Sequence, residues 1–124
     1  MTLSRIRLEL GRNPEHPEGS SLHGYDVVLP LNADGHIDAE EWRHTKSRCA
    51  VRRFWDGEPD ERGHLVHRRG GTWAFHYDVQ GDPEEDEPGW KFDTHVFKIG
   101  EYVSLREQDG ELRTFRVVSV RPAP

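Results

Sequence analysis

The chain has 124 residues, a formal net charge of −6 and one cysteine, Cys49. This length fits a single domain over residues 1–124, the lone cysteine excludes an internal disulfide, and the negative charge disfavours general nucleic-acid binding. The first 20 residues are rich in charge, and no run approaches the roughly 20 apolar residues that span a bilayer. We therefore expect a cytoplasmic protein without a membrane partner.

Short strands with polar connections are predicted for the first half of the chain. Leu3–Leu10 alternates apolar and charged residues, which predicts a half-buried strand. Gly11–His23 is rich in proline, glycine and charge, and is expected to form a surface loop. Tyr25–Leu29 predicts a second strand that ends at Pro30, and Cys49–Trp55 predicts a third.

An Asp-Gly turn followed by a capping sequence predicts the one short helix. Asp38 can cap this helix and Glu41 can complete a capping box, while Ile37 and Trp42 occupy the two positions of a hydrophobic staple. The helix should run over about residues 39–47. Because so short a helix is marginal alone, we expect Trp42 to dock it on a sheet.

The same stretch, PLNADGHIDAEE, resembles the calcium-binding loop of the EF-hand family. The side chains that match ligand positions of that loop are Asn32, Asp34, Asp38 and Glu41. Pro30 stands where the family has its first aspartate ligand, and a strand precedes the loop where the family has a helix. The resemblance implies a calcium site as the alternative to a capped turn.

Two strand-like runs joined by a pair of glycines predict a central hairpin over Gly63–Val79. A loop of two or four residues would put His67, His76 and Asp78 on one face. A three-residue loop would reverse the second strand, so that His64 faces His76 while His67 joins the aromatic face. The turn therefore decides which histidines can cooperate.

Tyr102–Glu107 and Leu112–Val120 predict a second hairpin, with a three-residue turn that ends in glycine. Together the elements give about seven strands and one short helix. The predicted fold is mainly β, a small antiparallel barrel or rolled sheet. The second hairpin should pair Val103 with Phe115 and Leu105 with Arg113.

Two resemblances bear on the class of protein. The C-terminal sequence FKIGEYVSLREQDGELRTFRVVSV resembles the opening hairpin of SH3-like small barrels, and Phe97, Gly100, Glu101 and Val103 match its pattern. This resemblance implies an interaction module. The succession CAVRRFW, GHLVHRRGGTWAFHYD and HVFKIGEYVS resembles a group of small proteobacterial proteins with no assigned function, so it implies no activity.

Candidate binding residues lie on the central hairpin. Arginines beside aromatic rings suit carboxylate or phosphate partners, and the polar hairpin face adds histidine and acid. In the alternative interpretation, these arginines meet the acidic segment Asp82–Glu87 within the fold. The predicted binding residues are Arg68, Arg69, Trp73, His67, His76 and Asp78.

A different class of function, a transition-metal site or a small metal-dependent enzyme, would use the same hairpin. Its ligands would be His67, His76 and Asp78. A catalytic metal needs a third protein ligand and an open position, and His95 or Asp93 could supply that ligand.

The sequence contains no nucleophile elbow, P-loop or dinucleotide-binding glycine pattern. Cys49 begins a strand and is interpreted as a small buried residue. We therefore expect a non-enzymatic binding protein for a protein or small anionic partner, without a cofactor. Hydrophobic residues make up only 33% of the chain, so the core is thin, and a homodimer could supply further burial.

Overall fold

The computed structural model describes residues 3–68, 71–78, 87–90, 92, 95–107 and 109–123. Within these ranges, eight strands and one short helix confirm the mainly β class. The helix, α1, is Ala39–Thr45 and is followed by a 3₁₀ turn at Lys46–Arg48. The strands are β1 Leu3–Leu10, β2 Ser20–Pro30, β3 Ala50–Trp55, β4 Glu58–His67, β5 Trp73–Tyr77, β6 Glu87–Trp90, β7 Tyr102–Arg106 and β8 Leu112–Ala123.

The strands form a closed antiparallel barrel in which neighbours in the sequence are neighbours in the sheet. β1 pairs with β2 on one side and with β8 on the other, so the first and last strands close the sheet. Closure removes the strand edges that would otherwise pair with another chain. The prediction of a small antiparallel barrel or a rolled sheet is confirmed, and the structure has the barrel.

Alternation along β1 separates the barrel interior from its outer face. Ile6, Leu8 and Leu10 are at most 4% exposed, whereas Arg5 is exposed and Arg7 is half-buried. The predicted half-buried strand is therefore confirmed. Aromatic rings fill much of the interior and compensate for the small number of aliphatic side chains. The fully buried rings are Tyr25, Phe75, Phe92, Phe97 and Phe115.

Helix α1 begins where the sequence predicts, directly after Asp38. The Asp38 carboxylate accepts a hydrogen bond from the backbone N–H of Glu41 (3.1 Å). The backbone N–H of Asp38 donates to the carbonyl of Pro30 (2.8 Å). The Pro30 carbonyl therefore acts as the acceptor that the Glu41 carboxylate would be in the predicted capping box. Trp42 donates from its indole nitrogen to the carbonyl of Leu65 (3.0 Å), so the helix docks on the sheet as predicted.

The central hairpin of β4 and β5 pairs His64 with His76 and His67 with Trp73. The connection, Arg68–Thr72, has an odd number of residues. The two strands therefore have the register that was predicted for a three-residue loop, in which His64 faces His76. His67 consequently lies with the aromatic residues of the interior. His76 lies on the outer face of the barrel.

The C-terminal hairpin of β7 and β8 has the predicted register. Val103 pairs with Phe115 and Leu105 pairs with Arg113. The backbone N–H of Glu107 donates to the carbonyl of Glu111 (2.9 Å) and closes the turn. Leu105 is fully buried, so its partner Arg113 shares the inward face of the barrel.

Several predicted features fall outside the described residues. These are Arg69 of the binding set, the alternative metal ligand Asp93, and most of the acidic loop Gln80–Gly89, whose last residues begin β6. In the part of the chain that the structure describes, no helix combines the length and apolarity needed to cross a membrane. Cytoplasmic location and a homodimer stay predictions.

Candidate functional site

The predicted binding residues are divided between the two faces of the central hairpin. Trp73 is only 2% exposed, and its ring stacks on His67 with centroids 3.9 Å apart. His76 faces outward, Asp78 follows β5, and Arg68 is exposed in the connecting loop. The described members of the set therefore do not form one surface.

The transition-metal set of His67, His76 and Asp78 is not brought together. Strand alternation places His67 inside the barrel and His76 outside it. On the outer face, Asp78 instead meets His64, with 3.0 Å between Oδ1 and Nδ1. Among the described residues, no group of three or more His, Cys, Asp or Glu side chains could hold a metal ion.

The calcium-loop resemblance is accounted for by local hydrogen bonds. The side-chain oxygen of Asn32 accepts from the backbone N–H groups of Asp34 (2.9 Å) and His36 (3.1 Å). Asp38 caps α1, so both side chains stabilise a turn that leads into a helix. A strand, β2, precedes this turn, as the departure from the family pattern indicates.

Cys49 is fully buried between the 3₁₀ turn and β3. Its thiol donates a hydrogen bond to the carbonyl of Thr45 (3.4 Å). Burial raises the pKa of the Cys49 thiol, which disfavours the nucleophilic thiolate at neutral pH.

A charged network lies inside the barrel at the end near the β7–β8 turn. The carboxylate of Glu107, 2% exposed, accepts hydrogen bonds from Arg53 Nε (3.1 Å) and Arg113 Nη1 (2.9 Å). The buried hydroxyl of Tyr25 donates to the same carboxylate (2.5 Å). A further hydrogen bond from Arg113 lowers the pKa of Asp109. We call these groups the barrel-end network.

The barrel-end network is balanced by charges from the chain itself. Arg53 also meets Glu58 (3.4 Å) and Glu61 (3.8 Å), and its guanidinium lies 4.2 Å from the ring centroid of Trp55. Because Glu107 connects arginines on β3 and β8, the network stabilises the closed barrel. Its charges are engaged inside the chain and do not require a ligand.

Two histidines pack over this end of the barrel. His16 contacts His23 with ring centroids 4.7 Å apart, and His23 meets Trp55 edge-on at 4.5 Å. The Nδ1 atom of His23 is 2.7 Å from the hydroxyl of Ser20. Burial lowers the pKa of His23, and the neighbouring His16 lowers it further. The contact therefore favours the neutral imidazole of His23.

The outer face of β1 to β4 carries a row of arginines. Arg7, Asp26 and Arg52 are cross-strand neighbours, and the Asp26 carboxylate accepts hydrogen bonds from both guanidinium groups. Phe54 lies 4.3 Å from the Arg7 guanidinium and 5.3 Å from that of Arg52. It fits over Gly24, where a Cβ would come within 3.0 Å of its ring. This part of the row is held in place by its own contacts.

Beside this row, a groove of about 410 Å³ opens on the outer face. Its lining includes Val28 and Ala50, Asp26 and Arg52 from the row itself, and the exposed Arg5 on β1 and Arg62 on β4. Within the described ranges, neither arginine forms an ion pair with a carboxylate. Arg121 on β8 lies directly opposite Arg5, a like-charge pair that is unfavourable without an anion. We call this site the arginine groove.

A second groove, of about 490 Å³, differs from the first in charge. Arg12 and Arg116 line it together with Glu9 and Glu18. Acids and bases are therefore matched in number along its wall. The excess of positive charge is a property of the arginine groove.

Neither Arg5 nor Arg62 is among the binding residues predicted from the sequence. The clean alternation in LSRIRLEL already directs Arg5 outward. Its position near Arg62, however, depends on the order in which four strands pair. That order is a long-range property which the local pattern does not contain.

No protein-family model, curated protein or solved structure matches this chain. Functional assignment therefore depends on the geometry of the two charged regions. The barrel-end network is matched internally, whereas the arginine groove is open and presents exposed guanidinium groups.

Proposed function

We propose that this chain is a non-enzymatic β-barrel protein that binds an anionic partner in the arginine groove. The observation that carries this proposal is the pair of exposed arginines, Arg5 and Arg62, which flank an open groove and have no carboxylate partner among the described residues. Guanidinium groups bind carboxylates and phosphates through paired, charge-assisted hydrogen bonds. An anion would also relieve the repulsion between Arg5 and Arg121.

The sign of the local charge supports the same proposal. The whole chain carries a net charge of −6, yet arginines outnumber acids on this face. A local reversal of sign attracts anions to one part of the surface and raises their association rate. The outward arginines are Arg5, Arg7, Arg52, Arg62 and Arg121, and the acids that meet them are Glu9, Asp26 and Asp60.

The transition-metal interpretation lacks comparable support. His67 and His76 face opposite sides of the sheet, and the described residues contain no group of three ligands. Anion binding is therefore the single function that we propose.

The proposal is tested by binding of inorganic pyrophosphate to the wild-type protein and to an Arg5→Gln, Arg62→Gln double variant. Isothermal titration calorimetry at low ionic strength should show binding that weakens at least roughly tenfold in the variant, because charged hydrogen bonds contribute about 1.5–3 kcal/mol each. The free energy of unfolding should change by less than about 0.5 kcal/mol, since both side chains are exposed.

The matched control is an Arg12→Gln, Arg116→Gln double variant. It removes the same net charge from the second groove, so general electrostatic attraction changes equally. Pyrophosphate binding should remain close to the wild-type value. Equal losses in the two double variants, or no binding to the wild type, would refute a specific site in the arginine groove.

A further inference from the structure

We infer that the partner of the arginine groove is an extended acidic peptide segment with two carboxylates on either side of a small apolar side chain. This inference rests on the proposed function and adds the class of partner. Its basis is the arrangement of the groove, in which Val28 and Ala50, beside the ion pair of Asp26 and Arg52, lie between Arg5 and Arg62.

The two arginines mark separate binding positions. β1 and β4 are separated by two strands, and neighbouring strands lie about 4.8 Å apart, which gives roughly 14 Å across the sheet. Arg62 pairs with Arg52, two residues along the strand from the pair of Ala50 and His64, so Arg5 and Arg62 start roughly 16 Å apart. Side chains stand roughly perpendicular to a sheet. On the convex outer face of a barrel they therefore diverge from each other. A linear ligand with two anionic groups can meet both positions, whereas one small anion meets them singly.

The middle of the groove suits an apolar group. Val28 is half-buried and packs against the hydrophobic core, while Ala50 is exposed and small. A short aliphatic side chain placed here would cover apolar surface that water otherwise contacts. The groove thus combines charged sides with an apolar strip that lies beside the Asp26–Arg52 ion pair.

An extended peptide can reach both arginines. Each residue adds about 3.3 Å, and every second side chain points to the same side. Acids four residues apart are therefore roughly 13 Å apart, with one side chain between them facing the same way. The pattern acidic, any, apolar, any, acidic therefore places two flexible carboxylate side chains within reach of Arg5 and Arg62, with the apolar side chain over Val28 and Ala50.

A nucleic acid fits this face less well. Duplex DNA carries one charge per roughly 1.7 Å of its axis, which would bring phosphates against Asp26 and Asp60 as well as against the arginines. The net charge of −6 adds to that repulsion. A peptide with two separated acids can contact Arg5 and Arg62 and place its uncharged residues near Asp26.

The test uses a short, end-capped, fluorescent peptide with the sequence Ser-Glu-Ser-Val-Ser-Glu-Ser and an isomer in which the two glutamates are adjacent. Fluorescence anisotropy should show that the spaced peptide binds at least roughly tenfold more tightly, because only it reaches both arginines. Arg5→Gln or Arg62→Gln should each remove this preference. Arg116→Gln, which changes the second groove, should keep it.

A second pair of variants tests the floor of the groove. Ala50→Glu places a carboxylate between the two arginines, where it competes with the peptide, and Ala50 is exposed enough to accept the side chain. Ala50→Gln is the control of equal size. The spaced peptide should bind severalfold more weakly to the glutamate variant than to the glutamine variant, and equal binding would contradict this geometry.

Pyrophosphate and a short oligothymidylate distinguish the remaining outcomes. Equal affinity for the two peptides, with pyrophosphate binding retained, would overturn the peptide inference and leave the proposed function standing. Tighter binding of the oligothymidylate than of the spaced peptide would also overturn it, in favour of a nucleic-acid partner. If the wild type binds none of these ligands, the proposed function fails together with the inference.

Discussion

The barrel-end network and the arginine groove both present arginines, but they differ in how the positive charge is compensated. Inside the barrel, Arg53 and Arg113 share the buried carboxylate of Glu107. On the outer face, Arg5 and Arg62 are exposed and meet no carboxylate among the described residues. The arginines of the barrel-end network are thus paired with a carboxylate, whereas those of the arginine groove are accessible to a ligand.

This difference follows from the cost of burial. A charge removed from water is tolerated only when partners replace its hydration, so Glu107 and its arginines must find each other as the barrel closes. An exposed guanidinium remains hydrated and needs no partner for folding. Substitutions in the network should therefore change stability, whereas substitutions in the groove should change binding.

The largest expected effect is the loss of stability in Glu107→Gln. The neutral amide leaves Arg53 and Arg113 without their shared buried carboxylate. We expect the free energy of unfolding to fall by about 3 kcal/mol, the lower end of the range for broken buried ion pairs, because each arginine keeps a second acidic neighbour. Urea denaturation followed by tryptophan fluorescence measures this change.

Glu9→Gln is the matched control for Glu107→Gln. Glu9 pairs with Arg7 at 2.9 Å, but its side chain is 24% exposed and lies on the outer face. The expected loss is less than about 1 kcal/mol, as for other partly exposed ion pairs. Similar losses in the two variants would contradict the distinction between the buried network and the outer row.

The next largest effect is expected for Tyr25→Phe, which removes one hydroxyl from the barrel-end network. Glu107 keeps its two arginines, so the loss should be about 1–2 kcal/mol. Tyr102→Phe removes a hydroxyl from a side chain that is 55% exposed and should leave the unfolding free energy unchanged within error. Unfolding curves in urea that coincide for the two variants would show that the Tyr25 hydroxyl contributes nothing.

The fold follows from local patterns to a large extent. Alternation in Leu3–Leu10 identifies β1, and the turn before Leu112 sets the register of the last hairpin. The capping sequence before Ala39 places α1. Each of these signals lies within a few residues of the element that it predicts, so tertiary structure does not alter it.

The candidate sites depend on contacts that local patterns do not contain. The central hairpin has an odd connection, which the glycine pair alone does not reveal, and this separates His67 from His76. Glu107 follows β7 at the edge of a polar turn, yet it is buried by Arg53 and Tyr25 from distant strands. Its partners are brought together by the closed barrel, so the local sequence around Glu107 does not predict them.

The smallest expected effect is a pH dependence of stability caused by His23. Its pKa in the folded protein lies below the ordinary value of 6.5, because burial and the neighbouring His16 disfavour the charged ring. Arg53 acts in the same direction, while Asp56 and Glu58 act against it. Below about pH 6.5 the unfolded chain binds a proton that the folded chain resists. Stability present above this pH is therefore lost as the pH falls toward the folded pKa.

The measurement compares the free energy of unfolding at pH 7.5 and pH 5.0 for the wild type and His23→Asn. The asparagine amide can still bond to Ser20 but does not titrate, so the variant should lose less stability on acidification. His44→Gln, at an exposed position on α1, should keep the wild-type dependence. An unchanged dependence in His23→Asn would assign the acid sensitivity to other groups. A smaller pH dependence in His23→Asn than in the wild type would show that protonation of His23 destabilises the folded protein. The unpaired charge on this buried ring would then contrast with Glu107, whose buried charge is paired with arginines.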